Sequence, residues 1–300
     1  MRIAVTGRLG QIARSLIERG SNSNVEVVTL ARPEVDLTRP HDLVDLLAAS
    51  QPQAVVSAAA YTGVDLAESE PQLAYQINAN GAEALARATA LLQIPIVHLS
   101  TDYVFDGTLD RPYGEEDPPC PINVYGSSKL RGEQLVAAAN PNHVILRTAW
   151  VYSPFGRNFA RTMLSLAGTR DEVSVVSDQR GAPTNALDIA DGIFKVLSNL
   201  VARPDDTAIR GIFHMTSGGE TSWAEFARAI FASSATSNGP FSQVRPIAGS
   251  AYPAAARRPV NSRLDNSRLV RSHGVRMPLW RDSIPATISR ILAEDFQKKA

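Results

Sequence analysis

A single cysteine, Cys120 in "DPPCPIN", has no partner within the chain, so no internal disulfide staples this fold. One thiol fits a reducing compartment, and with no histidine near it in sequence it reads as a loop residue rather than a nucleophile. The five histidines (His41, His98, His143, His214 and His273) are scattered without paired metal-ligand spacing, and no structural metal is expected. Charge of one sign is missing too. Thirty lysines and arginines face thirty aspartates and glutamates, so no global field attracts nucleic acid or a membrane surface. No apolar run approaches the ~20 residues that span a bilayer. "MRIAVTG" opens as a buried strand running into a glycine turn, with no basic segment ahead of an apolar one. No secretory signal is read there, and a cytoplasmic location is expected.

What is present is alternation. "RIAVTG", "VEVVTL", "QAVVSAAA", "IPIVHLS" and "HVILRTAWVY" read as short apolar strands. Between them lie helical patterns: about Gln11 to Arg19, "HDLVDLLAAS", a long helix from about Glu68 to Leu92, and one beginning near Tyr125. Strand-helix-strand repetition of this kind predicts an α/β fold, a Rossmann-type doubly wound parallel sheet covered on both faces. After Tyr152 the texture changes to amphipathic helices, "NFARTMLSLAG", "NALDIADGIFKVLSNL" and "TSWAEFARAIFASS", the last with Thr221 or Ser222 as N-cap. We therefore expect a dinucleotide-binding domain over residues 1–150, with return segments after 170. Residues 151–300 form mainly a smaller C-terminal substrate-binding domain. Its loop-rich stretch from Arg245 to Arg281 holds eight arginines.

"VTGRLGQIA" sets Gly7, Gly10 and Ala13 in G-x-x-G-x-x-A spacing, after a strand and opening a helix. The first glycine permits the tight turn, the second lets backbone N–H groups approach a diphosphate, and the small third residue lets helix and sheet pack closely. The helix N-terminus adds partial positive charge. Gly7, Gly10, Gln11 and Ile12 are the candidates to hold a dinucleotide. At the end of the second strand, "TLARPEVD" offers Arg32 where an acid would select NAD, which favours NADPH with NADH as the alternative. Asp36 and Leu37 are placed beside the adenine, and Ala58, Ala59 and Ala60, at a strand end, leave room for the nicotinamide half.

Tyr125 and Lys129 stand four apart, on one face of a helix. A phenol with an unperturbed pKa near ~10 can donate a proton, and a neighbouring ammonium steadies the phenolate left behind. Such a pair alone also fits an ordinary surface helix. Thr101, at the C-terminal end of the preceding strand, lies where open parallel sheets bind ligands and shifts the balance toward a site.

These residues, with "STDYVFDG", "YGSSK", "AAAYTGVDLAESEP", "RTAWVY", "DQRGAPT" and "ARRPVNSRLD", make the chain similar to the extended short-chain dehydrogenase/reductase family, over nearly its whole length. The resemblance implies reduction of the C4 ketone of a nucleotide-diphosphate sugar. Thr101 would hydrogen-bond the carbonyl, Tyr125 would protonate it, and Lys129 would orient the cofactor and tune Tyr125. Thr62, Val64, Tyr103 and Trp150 would line the sugar pocket. Arg257, Arg258 and Arg263 are candidates for the diphosphate, since guanidinium forks match phosphate oxygens. The resemblance also leaves open another nucleotide-sugar reductase or epimerase, or a non-catalytic NADP-binding regulatory subunit. Ser15 stands where some members carry a glutamate that helps bind magnesium at a dimer contact. That puts magnesium in doubt and leaves a homodimer open.

Overall fold

The computed structural model describes residues 1–297, and side chains as far as Glu294. Strands β1 (Arg2–Thr6), β2 (Glu26–Leu30), β3 (Ala54–Ser57), β4 (Ile96–Thr101) and β5 (His143–Thr148) share one sheet with a strand from much later, Gly211–His214. From one edge to the other the order is Gly211–His214, β5, β4, β3, β1, β2, and every neighbouring pair is parallel. The chain thus moves outward in opposite directions from the gap between β1 and β3.

Successive strand residues point to opposite faces, and both faces are covered. Ile3, Val5, Val56, Val97 and Leu146 enter one core with Leu16 of helix α1 (Gln11–Asn22). Ala4, Val55, Ile96 and Ile145 enter the other, against α2 (Leu43–Ser50), later helical segments and Val136. Burying one such aliphatic side chain contributes about 1.5–3 kcal/mol, which is why these strands read as unbroken apolar runs.

The helix expected from Glu68 to Leu92 is broken. It divides into α3 (Val64–Ser69), α4 (Pro71–Tyr75), a π-helical turn Gln76–Gly81 and α5 (Ala82–Leu91). Pro71 supplies no N–H and keeps Glu70 out of helical geometry, at φ −125° and ψ 48°. The strand expected to run through "HVILRTAWVY" also breaks, because Trp150 adopts φ +49° before pairing resumes at Val151.

Helix α6 (Val124–Ala139) follows β4, and α7 (Phe159–Ala167) follows the Trp150 turn. Helix α8 (Ala186–Ala202) adds Ile189, Ile193 and Leu197 to the α1 face of the sheet, and Phe213 of the last strand joins them. A separate core holds Met163 of α7, Phe226 and Ile230 of α9 (Trp223–Thr236), Trp280 and Ile288. Ser222 caps α9, its hydroxyl accepting the Glu225 N–H at 3.2 Å.

Candidate active site

Open parallel sheets bind ligands beyond the strand C-termini, where the order reverses. A cavity of about 1190 Å³ occupies that place here. Gly7 leaves β1 at φ +90°, a conformation L side chains avoid, and its N–H reaches the Leu30 carbonyl at 2.7 Å. The neighbouring Thr6 hydroxyl accepts the N–H groups of Ala58 and Ala59, each at 3.0 Å, which locks the β3 exit against the β1 exit. Gly10 caps α1 without a side-chain hydrogen bond, and a Cβ there would meet open space. First-turn N–H groups of α1 are thus left facing the cavity, a geometry that suits a diphosphate. Gln11, Ile12, Arg32, Leu37 and Ala60 line the same cavity.

Its other end is built on β4 and α6. Asn123 starts α6 by accepting the Gly126 N–H at 2.7 Å. Gly126 then lies so close to the Tyr103 carbonyl oxygen that a Cβ would overlap it. This contact sets the helix, and with it Tyr125, against the end of β4. The Thr101 side chain lies close enough to the Tyr125 phenol to influence it. Burial pushes that phenol up to about 12, the Thr101 contact opposes the rise, and the Asp102 charge adds to it. Tyr103 meets Tyr125 edge to face, with ring centroids 5.6 Å apart.

Lys129 shares the helix face with Tyr125 but points deeper. Its ammonium donates to the Leu99 carbonyl at 2.6 Å and lies 3.3 Å from His98 Nε2. An ammonium has only hydrogens to give, so Nε2 accepts and the ring hydrogen sits on Nδ1, facing the Ser57 hydroxyl at 3.0 Å. Burial lowers Lys129 to about 8, with Glu133 opposing the shift. In this arrangement the Lys129 ammonium is engaged by the Leu99 carbonyl and His98.

Thr62, Val64, Tyr103 and Trp150 all line the cavity. Trp150 stacks on Trp223 with centroids 3.6 Å apart, and Gly181 leaves room for it, since a Cβ there would fall 2.5 Å from the indole. Four expected residues do not reach the cavity wall. Asp36 turns to Arg32 at 2.9 Å and to the Thr38 N–H at 2.9 Å, contacts that hold its carboxyl at about 2. Arg258 is held by Asp65 at 2.6 Å, and Arg263 by Glu220 at 2.7 Å and by the Asp110 carbonyl. Arg257 has an exposed side chain, and its carbonyl accepts from Asn123 at 2.8 Å. Each of the first three already has a carboxylate or guanidinium partner, which the sequence spacing does not reveal.

Several wall or support residues were not anticipated. Arg8, between the two glycines, and Arg157 add cationic groups to the wall. Asp102 also lines it. Asn78, on the π turn, bonds the Tyr61 N–H at 2.8 Å and the Ser128 hydroxyl at 2.9 Å, joining the β3 exit loop to α6. An asparagine between apolar residues in "INANG" was the available signal. Among the described residues no group of three or more His, Cys, Asp or Glu could hold a metal ion, and Ser15 is buried in α1. No helix among them is long and apolar enough to cross a membrane.

A parallel sheet, a glycine turn at the reversal of strand order and a Thr-Tyr-Lys group beyond β4 define an NAD(P)-binding fold of the extended short-chain dehydrogenase/reductase type. The profile of the RmlD substrate binding domain family matches residues 1–293. A dTDP-4-dehydrorhamnose reductase of Sinorhizobium fredii is 47% identical, over 98% of this chain and 99% of that protein. The crystal structure of a dTDP-4-dehydrorhamnose reductase from Clostridium acetobutylicum superposes with a TM-score of 0.89 at 37% identity, covering 97% of this chain and 100% of the other. That of the Bacillus anthracis enzyme, in complex with NADP, gives 0.86 at 35% identity, over 98% and 99%. The chain belongs to the RmlD family, that of the dTDP-4-dehydrorhamnose reductases.

Proposed function

We propose that this protein is an oxidoreductase that reduces the C4 ketone of dTDP-4-dehydro-L-rhamnose to the alcohol of dTDP-L-rhamnose, with NADPH preferred over NADH. The observation that carries the reading is that Thr101, Tyr125 and Lys129 line the same cavity as the Gly7–Gly10 turn. A bound nicotinamide cofactor supplies the hydride. The chain supplies the rest. Tyr125, held protonated by burial, gives its proton to the ketone oxygen as negative charge develops there, and Thr101 hydrogen-bonds the same oxygen. Lys129 places positive charge beside the phenolate once Tyr125 has given up its proton, turning from the Leu99 carbonyl to do so.

The uncapped start of α1 and the open space at Gly10 fit a diphosphate, and Arg32 is the candidate for the extra phosphate of NADPH. Trp150 on its Trp223 support offers an apolar plane to the deoxysugar. Arg258 lies next to this wall through Tyr103 and, released from Asp65, is the arginine favoured for the sugar's diphosphate. A cytoplasmic enzyme acting as a homodimer belongs to the same proposal.

The test is NADPH oxidation with a panel of nucleotide 4-ketosugars. Wild-type protein should turn over the dTDP-linked 6-deoxy-4-ketosugar, and Tyr125→Phe should lose roughly 100-fold or more of kcat while binding NADPH normally. No turnover on any sugar, or a Tyr125→Phe variant as fast as wild type, rejects the reading.

A further inference from the structure

The Thr101 hydroxyl has one hydrogen and two lone pairs. In this structure the hydrogen goes to Asp102 Oδ1 at 3.1 Å, and one lone pair takes the Tyr103 N–H at 3.2 Å. While Asp102 accepts, Thr101 has no hydrogen left for a ketone oxygen. Yet the function proposed above, on which this inference rests, needs Thr101 to donate.

Asp102 is itself unusual. It is 2% exposed, lines the cavity, and its Oδ2 makes no well-formed hydrogen bond among the described residues, although the Ser262 hydroxyl is near enough to act on the carboxyl. An ionised carboxylate so placed forgoes water on one oxygen, whereas a carboxylic acid would carry a hydrogen able to reach the free lone pair of Thr101.

We infer that Asp102 is a positioning residue that decides which way the Thr101 hydrogen points: protonated, it donates to Thr101 and releases that hydrogen to the sugar carbonyl; ionised, it takes the hydrogen away. No covalent step is added. The proton delivered to the ketone is still that of Tyr125, and Asp102 keeps its own through the turnover.

The surroundings suit the role. Burial raises the Asp102 carboxyl to about 6, against weaker pulls downward from the Ser262 and Thr101 hydroxyls. Tyr125 from α6 and the adjacent Tyr103 are the titratable groups that feel its charge, and both are neutral at this pH. Arg258 and Asp65 act on Tyr103 from farther out, with opposite signs. Among the described residues no lysine, arginine or histidine forms an ion pair with the carboxyl. Filling the cavity with ligands removes more water and moves the carboxyl further up, so substrate binding and proton uptake go together.

Two measurements on the intact protein test this. The first is kcat/KM against pH for wild type, Asp102→Asn, Thr101→Val and the double variant, each checked for NADPH binding. In wild type kcat/KM should fall roughly tenfold or more as pH rises from about 6, the loss expected of one withdrawn donor at a developing oxyanion. Asp102→Asn, whose amide donates at any pH, should lose this limb. Thr101→Val should also lack it, and Asp102→Asn should then change the rate less than about twofold, the non-additivity of two groups acting through one contact. The second is proton uptake when the ketosugar binds the NADP⁺-loaded protein at pH 7. It should approach about one proton per site in wild type and be largely lost in Thr101→Val.

An unchanged limb in Asp102→Asn, independent effects in the double variant, or equal uptake in both proteins overturns the inference while leaving the reductase reading intact. No turnover by wild type rejects the reading itself.

Discussion

The buried ammonium of Lys129 is hydrogen-bonded at 2.6 Å to the carbonyl of Leu99, on the strand whose end carries Thr101. The bond ties α6 to β4 within two residues of the reacting groups. It also keeps a charge where water is scarce, and burial accordingly lowers Lys129 from 10.5 to about 8. Below pH 8 both folded and unfolded chains hold this proton; between about 8 and 10.5 the unfolded chain holds it and the folded one does not. The unfolded state then binds more protons, so this residue makes stability rise with pH across that window. Urea midpoints of the ligand-free protein at several pH values should show wild type gaining on Lys129→Met between pH 8 and 10.5. Parallel curves for the two proteins would mean that Lys129 is not perturbed.

One turn further along α6, Glu133 receives the guanidinium of Arg147 at 2.9 and 2.7 Å, and the Ser100 hydroxyl donates to the same carboxylate. Both charges are about 2% exposed or less, and the Phe105 ring lies 5.1 Å from the guanidinium. Removing one partner leaves the other as an unpaired buried charge. Glu133→Gln should therefore cost about 3–5 kcal/mol in denaturant unfolding. Glu133→Gln combined with Arg147→Met should cost less than the two single changes added together. Full additivity would show that the pair contributes nothing as a pair.

The sheet was legible in the sequence because its strands are buried on both faces and so appear as short apolar runs. The glycine turn was legible because Gly7 takes φ +90°, a conformation that few other residues adopt. Tyr125 and Lys129 were legible through helical spacing, but where the lysine points was not, since the Leu99 carbonyl and His98 lie thirty residues back and meet it only in the fold. That Arg258 and Arg263 stand off the cavity wall, each held by a carboxylate, was not legible for the same reason. Asp65 is 193 residues from the one and Glu220 43 from the other, and no local pattern announces either pair. Asp102 sat inside a quoted motif. Only burial made it distinctive.

Gly126 gives a geometric test of how Tyr125 is placed. A methyl group at this position would overlap the Tyr103 carbonyl oxygen and lie 3.1 Å from Pro121. Neither neighbour is the free end of a flexible chain, so α6 must shift away from the end of β4. Gly126→Ala should destabilise the protein by about 1–3 kcal/mol. It should also lower kcat by more than it raises the Kd for NADPH, because the turn at Gly7 and Gly10 lies outside the shift. If kcat is unchanged in a folded Gly126→Ala protein, the close approach does not set the position of Tyr125.

Arg32 lines the cavity beside the glycine turn, yet its guanidinium is engaged by Asp36 at 2.9 Å and is largely exposed. An exposed ion pair of this kind contributes little, so a phosphate can displace Asp36 at small cost. A charge-assisted bond from Arg32 to the extra phosphate of NADPH is worth more, about 1.5–3 kcal/mol. Arg32→Ala should therefore weaken NADPH binding roughly tenfold or more and leave NADH binding within about twofold, as read by nucleotide fluorescence titration. Asp36→Asn, which removes the competing carboxylate but can still accept from the Thr38 N–H, should tighten NADPH selectively. Equal losses for both nucleotides in Arg32→Ala would take the phosphate role away from Arg32 and leave Arg8, another guanidinium of the cavity wall, as the group to test.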